Sequence, residues 1–336
     1  MDYKINKIVI WGHKLHSHTH SYIHNAYYRA FKAMEYELEW YDNDDDISNI
    51  EFKETMFITE NQVDSGIPKR NDCLYIVHNI DSYEKYVGVP KSHIINLKCS
   101  YRDNKSYDSL KIFTESQHSF YSIGEETCFF TLWATDLLPT EIQNNIENIN
   151  DILLKREPGT FYHVGMADQM WYETMTFLHS EYTLNIRHLG GVWQEKPMLD
   201  EYEAMDAIQK SVLSLALQND KQIQQRYIPC RIFKNISYGR MGCTNNPLVQ
   251  QIFSSLERAE FMEHKAMNRI IFDIDRMECI SKAIRFEQLP IEERREQIVV
   301  LMEFVKTNHT YIHRIKDLIK FINAHTDFII MEPVNE

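Results

Sequence analysis

Short unbroken apolar runs alternate with apolar positions spaced three and four apart along this chain. Lys7-Ile-Val-Ile-Trp11 is apolar at every position after its lysine, the pattern of a strand buried on both faces. Ile23, Ala26, Tyr27, Ala30, Phe31 and Met34 then fall on one face of a helix. Tyr36 to Tyr41 alternates like a second strand, and Asp42 to Asp46 read as the turn that closes it. Thr55 to Thr59, Cys73 to Val77 and His93 to Leu97 are further short apolar strands. Strand and helix signals that alternate in this way predict βαβ units around a parallel sheet.

A polar junction follows from about Trp133 to Gly159, with Leu138-Pro139, an Asn-rich helical stretch and Glu157-Pro158-Gly159. A second alternating series begins at Thr160 to Gly165. A helix is expected over about Gln169 to His179, then strands at Tyr182 to Ile186 and Val212 to Leu217. From about Pro290 the pattern is helical, with Ile315, Leu318, Ile319 and Ile322 on one stripe. The expected architecture is α/β, two Rossmann-like domains facing a cleft, with C-terminal helices closing the fold. The expected boundaries are 1–135 for the first domain, 136–158 for a linker, 159–325 for the second domain with the terminal helices, and 326–336 for a tail. Ligands of open α/β sheets bind beyond the carboxyl ends of the strands. Three loops fall there: Gly12 to His20, His163 to Asp168, and Tyr227 to Arg231.

The chain has 336 residues, room for about two domains, and its 43% hydrophobic and 25% charged content fits a globular protein. A formal net charge of −13 argues against a nucleic-acid backbone as main partner. No apolar run reaches the ~18 residues of a membrane span, and no signal-peptide pattern opens the chain, so a cytoplasmic protein is expected. The six cysteines include no C-x-x-C pair and read as reduced thiols.

Tyr227 to Gly239 carries the densest set of local signals. Pro229 favours an extended residue before it and a helix start after it. Ile232, Phe233 and Ile236 give that helix a buried face, and Gly239 would end it in a left-handed conformation. Arg231 would stand in the first turn, where its guanidinium fork suits an anion such as a diphosphate. Thr244-Asn-Asn-Pro-Leu reads as the cap of the next helix, and Gly165 as a point of close backbone approach.

His13, His16, His18, His20 and His24 cluster after the first strand. Imidazoles are common metal ligands, but no acidic residue stands near them in sequence and H-E-x-x-H is absent, so no metal is expected. They are expected on the acceptor side, with His16, His18 and His20 as binding residues and His13, directly after Gly12, as a general base. The remaining alternatives are helix capping and solvated loop positions. Asp42 to Asp46 read as an Asp-rich surface turn rather than a metal-binding D-x-D.

Tyr227-Ile-Pro-Cys-Arg-Ile-Phe-Lys-Asn-Ile-Ser-Tyr-Gly239 resembles the P-x-R-hydrophobic-F-E-A segment of GT-B glycosyltransferases. It is most similar to the group related to the spore-maturation protein CgeB, found in bacteria and large DNA viruses. His309-Thr-Tyr-Ile-His-Arg314, Phe161-Tyr-His-Val-Gly165 and Trp133 to Pro139 resemble further segments of that group in the same order, over roughly residues 7 to 325. The resemblance implies a nucleotide-diphosphate sugar as donor substrate, a glycan or other hydroxyl acceptor, and no separate cofactor or metal. It carries a donor diphosphate role onto Arg231, Lys234, Thr244, Asn245 and Gly165. Lys234, and Arg226 eight residues earlier, stand where many GT-B enzymes have acids, one of which holds the donor ribose. A cation accepts no hydrogen bond from a sugar hydroxyl, so that ribose contact does not carry over.

Overall fold

The computed structural model describes residues 3–14, 19–99, 111–112, 119–190, 199–254 and 270–331. The chain divides into two compact units, one of Met1–Leu138 with Tyr311–Glu336 and one of Pro139–Thr310.

In the first unit β1 (Tyr3–Ile5) and β2 (Lys7–Trp11) lead to α1 (Thr19–Ala33) and β3 (Leu38–Tyr41). β4 (Thr55–Glu60), β5 (Leu74–His78), β6 (Ile94–Lys98), β7 (Lys111–Ile112), β8 (Ser119–Ile123) and β9 (Thr127–Thr131) follow. One eight-stranded sheet has the order β3-β2-β4-β5-β6-β9-β8-β7. The six strands from β3 to β9 are parallel, while β8 and β7 are antiparallel additions that the hydrophobic pattern did not signal. β4 and β5 are buried at every residue, as expected of central parallel strands covered on both faces. Winding runs outward from β2 to β3, then returns past β2 to β4. The carboxyl ends of β2 and β4 therefore flank a topological switch point, where ligands of such sheets bind.

In the second unit α2 (Pro139–Glu147) and α3 (Ile149–Leu154) precede β10 (Thr160–Val164), α4 (Gln169–Tyr182) and β11 (Asn185–Leu189). Then come α5 (Glu201–Lys210), α6 (Asp220–Gln224), α7 (Arg231–Ser237), β12 (Cys243–Thr244), α8 (Pro247–Ser254), β13 (Ile271–Phe272), α9 (Arg276–Glu287) and α10 (Ile291–Asn308). β10 pairs with β11 and β12 with β13, both in parallel. The strand expected at 212–217 is an extended segment with a single parallel bridge, Leu215 to Cys243. It still joins the two pairs, because Val212 N donates to Thr160 O at 2.9 Å and Ala216 N to Cys243 O at 2.8 Å.

The chain returns to the first unit through α11 (Tyr311–His325) and β14 (Phe328–Ile330). This corrects the expected boundaries in three places. The stretch 136–158 is not a plain linker, since α2 and α3 belong to the second unit. The last helix belongs to the first unit: Tyr311 packs on Tyr27, Phe321 on Phe129, and Arg314 Nε donates to Leu132 O at 2.8 Å. Its apolar stripe is satisfied there, with α1 alongside. The expected tail supplies β14, which pairs in parallel with β1. None of the six cysteines forms a disulfide, and no described helix is long and apolar enough to cross a membrane.

Candidate functional site

The carboxyl end of β2 runs into a turn that only a glycine allows. Gly12 has φ +87°, and a Cβ built on it would lie 2.2 Å from a methyl carbon of Val63. His13 follows with φ +56°, unusual for a residue with a side chain and a local cost that other bonds must offset. Those bonds converge on the Gly12 carbonyl, which accepts from His24 Nδ1 at 2.8 Å and from Trp40 Nε1 at 3.0 Å. The turn directs the His13 ring inward, where it is 6% exposed, and puts its Nε2 3.4 Å from Oε2 of Glu60, the last residue of β4.

Glu60 is 3% exposed. Burial works against its charge, but the His13 bond, the Gln62 amide at 2.9 Å, and the nearby His20 and His78 outweigh it. They hold the carboxyl below its ordinary range. The His20 ring stacks 5.7 Å from His13 and lies 4.9 Å from His78, the last residue of β5. One ligand atom each from His13, His20 and Glu60 lie within 4.8 Å of one another, a grouping with metal-ligand chemistry. Burial pushes both His24 and His78 down to about 3, so both are neutral at pH 7. His78 Nδ1 is buried and has no hydrogen-bond partner among the described residues.

The expected histidine cluster is therefore built in part. His13, His20 and His24 come together, whereas His16 and His18 lie outside the described residues. The expectation that no acidic ligand is at hand is overturned by Glu60, 47 residues from His13 in sequence. Its only sequence signal is a carboxylate directly after a short, mainly apolar strand. His78 carries the same signal at the end of the next strand.

In the second unit Gly165 follows β10 with φ +112°. Gly190 follows β11 with φ +108°, and a Cβ on it would meet the Gly165 backbone at 3.0 Å. The two strand ends are pressed together, with Gly165 N donating to Leu189 O at 2.8 Å and His188 Nε2 to Gly165 O at 2.9 Å. Arg231 opens α7 as expected, and Gly239 ends it with φ +86°. The Arg231 guanidinium lies over the Trp171 ring, 5.2 Å from its centroid, with Nη2 3.1 Å from where a Gly165 Cβ would sit. Burial lowers the Arg231 pKa, yet an arginine stays charged, and no carboxylate pairs with it among the described residues. Its neighbour His163 is driven to about 3, first by burial and then by the Arg231 charge.

Other expected donor residues are placed differently. Asn245 is buried with both ends of its amide bonded: Oδ1 accepts from Gln218 N at 2.8 Å and Nδ2 donates to Gln218 O at 2.9 Å. Thr244 is buried, and its hydroxyl accepts from Asn246 N at 3.1 Å. Both side chains are buried and bonded within the protein, which places them as supports of the loop. Asn246 completes this lock. Its Nδ2 donates to Gln218 Oε1 at 2.7 Å, and Gln218 Nε2 donates to Tyr227 O at 2.8 Å, fixing the loop that leads to Arg231. Lys234 lies one turn along α7 from Arg231, with its amine 6.0 Å over the Tyr238 ring. Asp168 caps α4 through Trp171 N and accepts from Asn219 Nδ2 at 2.9 Å.

Both units thus carry a parallel α/β sheet with a glycine turn after its first central strand, the class of two Rossmann-like domains. A solved structure titled "alpha-glucosyltransferase (AGT) in complex with UDP" is similar over 95% of this chain and 99% of its own, with a TM-score of 0.56 and 9% identity. The likeness establishes a GT-B-type two-domain α/β fold. No protein-family signature and no curated protein sequence matches the chain.

Proposed function

We propose that the protein is a GT-B glycosyltransferase, moving a sugar from a nucleotide-diphosphate donor to a glycan or other hydroxyl acceptor. The observation that carries this reading is Arg231: a half-buried guanidinium, stacked on Trp171, beside the bare backbone of Gly165, with no carboxylate paired to it among the described residues. Such a cation at the strand ends suits a diphosphate. The fold supports the class, and the UDP of the similar structure supports a nucleoside diphosphate as the ligand. The CgeB-related motifs are consistent with the same donor-side layout.

In the proposed reaction the acceptor oxygen bonds to the anomeric carbon as the carbon–oxygen bond to the diphosphate breaks. The diphosphate leaves with the electron pair, and Arg231 offsets the added charge without a metal bridge. The acceptor proton needs a base. His13 is the candidate: with Glu60 holding a proton on Nε2, its Nδ1 is the basic nitrogen. His20 stands beside it on the acceptor side.

The test is UDP binding followed by calorimetry, together with nucleotide release from a panel of nucleotide sugars. Arg231→Ala should weaken diphosphate binding by about 10- to 100-fold, the worth of one or two charge-assisted hydrogen bonds. Equal affinity in wild type and variant refutes the donor site.

A second reading, a nucleotide- or glycan-binding protein without turnover, is favoured by Lys234 and Arg226 in the place of acids. It predicts the same Arg231-dependent affinity with no product from any acceptor. Detection of a transferred sugar excludes it.

A further inference from the structure

We propose that His13, His20 and Glu60 form a binding site for one divalent transition-metal ion of the zinc class, in the first unit at the β2–β4 switch point. Three observations support it. The ligand atoms lie within 4.8 Å of one another, so small side-chain movements bring all three onto one ion at the ~2.0–2.2 Å of nitrogen and carboxylate ligation. The donor set of two imidazoles and one carboxylate is borderline-soft and selects zinc, cobalt or iron(II) over magnesium or calcium. The scaffold is also rigid where it matters. His13 is held by a turn with no room for a Gly12 side chain, its carbonyl locked from two directions, and Glu60 ends a fully buried strand anchored to the Gln62 amide.

The shell around the three ligands suits the ion as well. His24 and His78 are buried beside His13 and His20, and His78 Nδ1 has no hydrogen-bond partner among the described residues. Cys99 Sγ lies 3.5 Å from the other His78 nitrogen. Three protein ligands leave coordination positions open, the arrangement of a reactive rather than a purely structural ion. An ion on His13 Nε2 fixes the ring proton on Nδ1. Ion loading therefore withdraws His13 from the base role proposed above. The two proposals stand apart, because this one is read from metal binding alone.

The experiment is a titration of chelator-treated protein with cobalt chloride, followed by visible absorption and competed by zinc. One cobalt per chain is expected, with d–d bands of mixed nitrogen and oxygen coordination that zinc abolishes and magnesium does not. Glu60→Gln keeps the shape of the side chain, and His20→Asn changes a half-exposed one. Each should lower cobalt affinity by more than about tenfold, since even outer partners of metal ligands are worth 10- to 100-fold. Failure of the wild type to give a saturable cobalt spectrum overturns the proposal. So does unchanged affinity in His20→Asn, which decides the matter should Glu60→Gln not fold.

Discussion

Gly12 and Gly165 occupy the same place in their respective units, and almost nothing around them is alike. Each follows the strand from which its sheet is wound, and each has a positive φ, +87° and +112°. At Gly12 the missing side chain makes room for the protein itself: Val63 fills the space, and the following histidine turns onto Glu60. At Gly165 the nearest group beyond the neighbouring backbone is the end of the Arg231 side chain, 3.1 Å from the absent Cβ. The first turn gathers imidazoles and a carboxylate, groups that exchange protons or bind metal ions. The second gathers a guanidinium over an indole, a group that binds anions. One topology thus yields two chemistries, set by the residues that adjoining elements deliver to the strand ends.

The comparison breaks most sharply on alanine at each glycine. Gly12→Ala puts a methyl group 2.2 Å from Val63, a packed neighbour with little freedom, in a backbone region that L-residues avoid. Strain and overpacking together should cost about 3 kcal/mol or more, read as a thermal unfolding shift of roughly 6–12 °C for a unit of this size. A shift within 2 °C would show that the turn is not the rigid support argued for it.

Glu60→Gln comes next. It keeps the volume and removes the carboxylate that meets His13 Nε2 and orients the ring. On the proposed function, sugar transfer should fall by about 100-fold, within the range of general acid–base catalysis, while UDP affinity, assigned by that proposal to the second unit, stays the same. A parallel fall in UDP affinity would contradict the separation of roles between the two turns.

Gly165→Ala should act the opposite way from Gly12→Ala. The contact made by its methyl group is with the mobile end of an arginine, so the larger effect is displacement of Nη2 from its place beside the backbone. We expect UDP affinity to fall about tenfold, roughly 1.4 kcal/mol, with a smaller change in stability. Tight UDP binding in this variant would mean that Arg231 reaches its ligand from elsewhere.

The two glycine turns also mark how far the sequence could be read. The buried parallel strands were legible because their apolar runs are uninterrupted, and α7 because Pro229, Arg231 and Gly239 punctuate it. The β8–β9 hairpin was not, since Ser119 to Ile123 has no clean alternation. The placement of α11 was not either: an apolar stripe states that a helix is buried, not against which unit. The same limit hid Glu60. A local pattern cannot report that residue 60 meets residue 13, because strand order in the sheet, rather than spacing in the chain, makes them neighbours. Asn245 shows the converse: its position by a helix start suggests a ligand contact, while in the fold both ends of its amide bond to the Gln218 backbone.

The smallest expected effect separates the two units by their buried histidines. His24 and His78 in the first unit, and His163 in the second, are each depressed to about 3 by burial. In the unfolded chain these imidazoles take up a proton near 6.5. Between pH 6.5 and about 3 the unfolded state therefore binds more protons than the folded state, and stability falls as pH falls through that window. From pH 7 to pH 6 the loss is about 0.7 kcal/mol for each histidine. His313, pushed down to about 4 by burial, adds about as much to the first unit, and His93 is lowered there too, so the first unit loses at least about three times what the second loses. Hydrogen-exchange protection, corrected for the intrinsic rate and measured with chelator present, should drop further in β4 and β5 than in β10 and β11. His78→Asn should shrink the drop in the first unit by about 0.7 kcal/mol and leave the second unchanged, because it removes one of the protons whose uptake folding suppresses there. An equal pH response in the two units would remove the buried imidazoles as its cause.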